Sequence, residues 1–188
     1  MHQIMTQEPI RFRLSPEEEA RQIRAARLDP QAFGGLYDRY APSIYRYLMS
    51  RLGNVEEARD VTSQTFLAAF ERFPRYRHNG FFSAWLFSIA RSKFVDHLRK
   101  AANRTEKLPD GHPDQRVDLL QQVVESERVS ELKRLISSLT DDEQELLRLR
   151  FVAELSFGEM AALLQRNEEA VKKSVYRLLA RLQSQLEA

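Results

Sequence analysis

Apolar residues along this chain recur at spacings of three and four, and no stretch alternates convincingly as a strand. That periodicity predicts helices throughout, and capping residues mark where they begin. Ser15 before Pro16 predicts a first helix, with acidic residues following at the positive end of its dipole. Asp29-Pro30 starts a second helix carrying Phe33, Leu36, Tyr37, Tyr40, Ile44, Tyr47 and Leu48. Pro42 is expected to kink it, because the ring removes one ladder hydrogen bond, and Gly53 to end it. Asn54, with Glu57 as the partner in a capping box, opens a third helix that presents Ala58, Thr62, Phe66, Ala69, Phe70 and Phe73. Pro74 closes that helix, PRYRHNG reads as a loop, and a long helix covers roughly 82–102.

The character then changes. NRTEKLPDGHPDQR holds two prolines, a glycine and almost no large apolar residue, so a linker and a domain boundary fall here. Beyond it a helix is expected over 117–139. Thr140 with Glu143 predicts a capped helix to about Ala153, and Ser156 with Glu159 a short one to Leu164. Asn167 caps a last helix that runs nearly to the C-terminus. The expected architecture is all-α: an N-terminal tail (1–15) and a helical domain (16–102), then a flexible linker (103–117) and a second small helical domain (118–188).

Several function classes are disfavoured by composition. The 188 residues include no cysteine, which removes disulfides, thiol chemistry and Cys-ligated zinc. The four histidines, at 2, 78, 97 and 112, form no close helical pair for a metal. Asp141, Asp142, Glu143 and Glu145 begin a helix, where acids are expected as capping groups. With no phosphate-cradling glycine loop and no nucleophile motif, neither catalysis nor a cofactor is expected. The first twenty residues lack the apolar core of a signal peptide, and charged or polar residues break the apolar runs well before a membrane span. The expectation is a soluble cytoplasmic protein with no membrane partner.

Net charge is only +2, from 29 basic and 27 acidic residues, so a nucleic-acid role depends on where the charges sit. From Arg72 to Arg104 there are eight Lys or Arg residues against one acid, Asp96, interleaved with Tyr76, Phe81, Phe82, Trp85, Phe87 and Phe94. Cations hold a phosphate backbone while rings stack on unpaired bases, which suits single-stranded DNA. Phe82, Leu86, Ile89, Lys93, His97, Lys100 and Arg104 step along one side of one helix, a line that starts apolar and turns basic halfway. Taken singly, Trp85, Phe87 and Phe94 read as core, whereas Tyr76, with His78 and Asn79, is expected to be functional because it sits in a polar loop.

The second constellation is LSFGEMAALLQRNEEAVKKSVYRLLARL, which has the layout of a helix-turn-helix. Val171, Val175, Leu178, Leu179 and Leu182 fall on one face, while Lys172, Lys173, Tyr176 and Arg177 project from the others. A helix entering the major groove needs that division, since long donors must reach phosphates and base edges. An ordinary bundle helix with a solvated basic face shows it too. Glu168 and Glu169 suit the first turn of either.

Together these residues resemble a family. DPQAFGGLYDRY, NVEEARDVTSQTFLAAFERF and FSAWLFSIARSKFVDHLRK look like region 2 of the extracytoplasmic-function (ECF) sigma factors of bacterial RNA polymerase, within the sigma-70 family. LTDDEQELLRLRFVAELSFGEMAALLQRNEEAVKKSVYRLLARL is similar to their region 4. The run W-L-x-x-I-A-R-x-x-x-x-D-x-L-R from Trp85 to Arg99 is a specific fingerprint, and the likeness covers about three quarters of the chain. The resemblance implies that Asp60, Ser63 and Gln64 dock on the clamp of the large subunit of polymerase core. It implies that Arg75, Tyr76, Arg77, His78, Asn79, Phe82, Lys93, His97 and Lys100 read and help melt the −10 element. Lys172, Lys173, Tyr176 and Arg177 would read the −35 duplex. Members are often held inactive by an anti-sigma protein, which makes such an inhibitor a candidate partner.

The chain departs from the family pattern in places. The polymerase-contact motif usually runs Asp-x-x-Gln-Glu, whereas Asp60 is followed here by Ser63 and Gln64. Gln165 stands where the turn usually has glycine, and Ala170 and Ser174 replace a common Thr and Arg, so promoter specificity does not transfer. The competing reading is a stand-alone helix-turn-helix regulator, dimeric to match a two-fold operator. It gives no reason for the basic and aromatic run of residues 72–104.

Overall fold

The computed structural model describes residues 15–78, 80–105 and 127–187. All regular structure among them is helical, and the chain divides into two compact units, residues 1–111 and 112–188. The tail 1–14, residue 79 and 106–126, with most of the expected linker, lie outside the described residues.

In the first unit α1 spans Pro16–Leu28, α2 Phe33–Leu52, α3 Val55–Arg72 and α4 Phe82–Thr105. Local chemistry sets the boundaries. The Ser15 hydroxyl accepts from the Glu18 N–H while the Glu18 carboxylate reaches back to the Ser15 N–H at 2.8 Å, a complete capping box. That bond holds the Glu18 carboxyl below its usual range. Asp29-Pro30 begins a single 3-10 turn, Pro30–Ala32, and α2 proper follows from Phe33. Pro42 lies inside α2, and Gly53 ends that helix at a φ of 67°, a left-handed value that costs glycine nothing. Asn54 caps α3 through bonds from the N–H groups of Glu56 and Glu57. The expected box there is half formed, because the Glu57 carboxylate reaches across to His97 instead.

α2, α3 and α4 bury Leu36, Ile44, Leu48, Val61, Leu86 and Phe87 almost completely. Each such side chain contributes about 1.5–3 kcal/mol of hydrophobic free energy. Aromatic edges lock the layer: Phe33 meets Phe70 and Phe73 at 5.2 and 5.1 Å, and Tyr47 meets Phe87 at 5.4 Å.

In the second unit α5 spans Glu127–Ser137, α6 Asp141–Leu147, α7 Phe157–Leu164 and α8 Glu168–Leu186. The helix expected from residue 117 is described only from Glu127 onward. Capping boxes form at Thr140 with Glu143 and at Ser156 with Glu159, and the Asn167 side chain caps α8. The helix expected to reach Ala153 is α-helical only to Leu147 and widens into a π-helical turn over Arg148–Val152. Leu139, Leu178 and Leu182 form a core with Leu135 and Leu147 packed against it, and Leu149, Met160, Val171 and Val175 are buried in the same unit. Gln165 ends α7 at φ 53° and ψ 43°, where a side chain costs about 1 kcal/mol relative to glycine.

Candidate nucleic-acid interface

The α4 line leaves the core partway along, as its sequence predicts. Phe82 and Leu86 are fully buried and Ile89 nearly so; Lys93 is half-buried and Lys100 exposed. His97 is mostly covered, its side chain 14% exposed, and its Nε2 lies 3.1 Å from the Glu57 carboxylate. The lone acid of this stretch, Asp96, is engaged by Arg99 at 3.0 Å. The C-terminal half of α4 therefore carries cations over an apolar root, and Arg51 adds another over the Phe94 ring at 4.3 Å.

In the preceding loop Arg75 and Arg77 are exposed and His78 is half-buried. Tyr76 and Phe82 correct the expectation that they face DNA. Both are buried, Tyr76 at 6% exposure and Phe82 at 0%. The reason is local. A 3-10 turn over Phe73–Arg75, closed by the Tyr76 N–H on the Phe73 carbonyl, turns the Tyr76 ring back beneath the loop. There it meets Trp85 at 4.5 Å, Phe82 at 5.5 Å and Phe73 at 6.1 Å. Burial, and then the nearby Glu19 charge, push the Tyr76 hydroxyl up to about 12, so it stays protonated and pairs with His78 Nδ1 at 3.0 Å. Of the residues expected to be core, Phe87 and Phe94 are buried and Trp85 is half-buried. Beside the loop, an open cleft of about 610 Å³ carries Arg27, Arg75 and Arg77 alongside Phe70, Phe73 and Pro74.

On α3, Asp60 and Ser63 are exposed and Gln64 half-buried. The Gln64 amide donates to the Asp60 carboxylate at 2.7 Å, and the Ser63 hydroxyl is turned onto the Arg59 carbonyl at 3.0 Å. Leu67, 60% exposed, and Phe70, 45% exposed, continue this face, so a polar pair stands beside apolar side chains. That combination suits a protein partner more than DNA.

α8 divides as expected. Val171, Val175, Leu178 and Leu182 are buried and Leu179 is half-buried, while Lys173 and Arg177 are exposed. Lys172 is half-buried and lies 4.0 Å from Glu169. Tyr176 is 36% exposed and rests against Phe157, 5.8 Å between ring centroids. Phe157 in turn lies under Arg150 at 4.6 Å, and Arg150 donates to the Leu155 carbonyl at 2.9 Å.

Sequence reasoning missed two further cations near this face. Arg166 donates to the Ser174 hydroxyl at 3.1 Å, and Arg181 donates to Glu143 at 2.7 Å. The Arg181 bond, with the Thr140 N–H, holds the Glu143 carboxyl below its usual range. In the first unit it missed Glu19 and Arg27 and the partners of Tyr40 and Glu57, contacts that span 21 to 63 residues. No local spacing marks such contacts. Among the described residues, no helix is long and apolar enough to cross a membrane.

Two family models match the chain, Sigma-70 region 2 over residues 36–104 and Sigma-70, region 4 over residues 130–182. The ECF RNA polymerase sigma factor BldN of Streptomyces coelicolor is 35% identical over 164 residues, which cover 85% of this chain and 62% of BldN. This chain therefore spans less than two thirds of that relative. The ECF RNA polymerase sigma factor SigD of Mycobacterium tuberculosis is 32% identical over 174 residues, 85% of this chain and 79% of SigD. A similar fold occurs in the sigma factor RpoE of Bartonella quintana, solved with the anti-sigma factor NepR. Its TM-score is 0.57 at 21% identity, covering 83% of this chain and 97% of that one. With a region 2 body that carries the α4 cationic line and a region 4 body that carries a helix-turn-helix, in that order, the chain belongs to the ECF RNA polymerase sigma factors.

Proposed function

We propose that this chain is a promoter-specificity subunit that brings RNA polymerase core to DNA and assists opening at the −10 element. The observation that carries the reading is the α4 line, buried at Phe82, Leu86 and Ile89 and cationic at Lys93 and Lys100. Its root anchors in a packed body while its far end offers cations to a phosphate backbone. Arg75, Arg77 and His78 precede the same helix in the chain and would contact unpaired bases and phosphates. Tyr76 and Phe82 build the floor under them. His97 is held by Glu57 and mostly covered, so Lys93 and Lys100 would carry the contact along this part of the helix.

The first unit would also dock on the polymerase clamp through Asp60, Ser63 and Gln64, next to exposed Leu67 and Phe70. The second unit would read the −35 duplex with Lys173, Arg177, Tyr176 and Lys172. Catalysis belongs to the polymerase core, and the work of this chain is in the cytoplasm. An anti-sigma protein is a fitting inhibitor, because the surfaces assigned to core and DNA are those a competitor would cover.

Mixing the chain with polymerase core and separating by size tests the assignment. Co-migration with core, together with weak binding of free promoter duplex, is the expected result. A chain that ignores core yet binds duplex tightly as a dimer is instead a stand-alone regulator.

A further inference from the structure

Tyr76, just after the 3-10 turn that follows α3, and Phe82, the first residue of α4, bound a loop. A loop of this kind holds one shape only when its backbone polar groups find fixed partners. Two side chains of α1, distant in sequence, supply them at its two ends. Arg27 donates through Nη2 to the Tyr76 carbonyl oxygen, 49 residues away. Glu19 accepts from the Phe82 N–H through Oε2 at 3.5 Å, 63 residues away, and its Oε1 accepts from the Tyr40 hydroxyl.

Phe82 opens α4, so its N–H is one of the donors that no helical carbonyl can satisfy. A carboxylate there also meets the positive end of the dipole of a 24-residue helix. Between Glu19 and Arg27, α1 buries Ile23 and Ala26, which anchors the helix that carries both charged side chains. The influence of Glu19 is visible in its neighbours. Burial first, and its charge next, raise the hydroxyls of both Tyr40 and Tyr76 above the ordinary tyrosine range.

We propose that Glu19 and Arg27 are positioning residues that fasten the two ends of the loop and so preset Arg75, Arg77 and His78 for single-stranded −10 DNA. The inference rests on the function proposed above. Both residues act through the loop backbone. The benefit is preorganisation, since a loop already in its binding shape gives up less freedom when it meets DNA.

The test uses the full chain with Glu19→Leu, Arg27→Met and the conservative Glu19→Gln. Amide hydrogen exchange over 76–82, affinity for polymerase core, and permanganate reactivity of −10 thymines at saturating core are measured on each. Glu19→Leu and Arg27→Met should speed exchange in the loop and lower promoter opening by about tenfold, the scale of one lost charge-assisted hydrogen bond. Core affinity should be unchanged. Glu19→Gln should keep most of the opening, because its amide oxygen still accepts from the Phe82 N–H. Arg27 is exposed, so its variant is expected to fold even where Glu19→Leu does not.

Unchanged loop exchange overturns the proposal, as does a fall in opening matched by an equal fall in core affinity. A wild-type chain that opens no promoter sinks the proposed function. The exchange measurement then decides the fastening by itself, acceleration upholding it and no change ending it.

Discussion

Removing the charges of Lys93 and Lys100 should change how salt weakens DNA binding more than it changes the fold. Lys93 stands one turn beyond buried Ile89, and Lys100 is exposed two turns further on. Seven residues of helix separate them, about 10 Å along the axis. That is roughly the Debye length at 0.1 M salt, so their contributions should nearly add. Each cation neutralising a phosphate of a single strand contributes about 0.7 to the slope of log affinity against log salt. The double variant Lys93→Gln, Lys100→Gln should therefore lower that slope by about 1.4. Between 50 and 200 mM salt, that difference makes the variant's relative deficit shrink by about sevenfold. The assay is fluorescence anisotropy of a labelled single-stranded −10 oligonucleotide titrated with core and chain across that range. An unaltered slope, or an equal loss at every salt concentration, refutes the phosphate assignment.

Phe82→Ala should cost about 3–5 kcal/mol of stability in chemical denaturation, because its ring is wholly buried; a cost near zero would return it to the DNA surface. Arg177→Ala should weaken −35 duplex binding by about 1–3 kcal/mol if it meets a base edge, and leave binding of the single-stranded −10 oligonucleotide untouched. Glu143 has a folded carboxyl held below its usual range, by the Arg181 bond first and by Thr140 next. Its contribution is present above the ordinary carboxylate range and lost as pH falls through the depressed value. Glu143→Gln should remove that part of the acid limb in a pH-stability curve of the whole chain, and a superimposable curve would contradict it.

What the sequence made legible was chiefly local. Ser15, Thr140, Ser156 and Asn167 each cap the helix expected of them, because a cap is decided within four residues. The transition along α4 from Phe82 to Lys100 was legible for the same reason, since one helix carries the whole pattern. Tyr76 was misjudged because polar neighbours in a loop hide a ring that folds back onto Phe73 and Trp85. Glu57 was assigned to a capping box, yet its carboxylate is taken by His97 from the far end of another helix. The π-helical turn at Arg148–Val152 has no sequence mark at all. α4 also runs three residues past its expected end, to Thr105, because Asn103 and its neighbours permit helix even though their composition reads as linker.

On the function proposed above, this chain confers promoter choice on a polymerase that lacks it. Run-off transcription with purified core, the chain and a library of random promoter templates measures this directly. Discrete transcripts that require the chain, start at a shared motif pair and vanish when Lys173 and Arg177 are both neutralised are the predicted outcome. A transcript pattern identical with and without the chain would contradict the account.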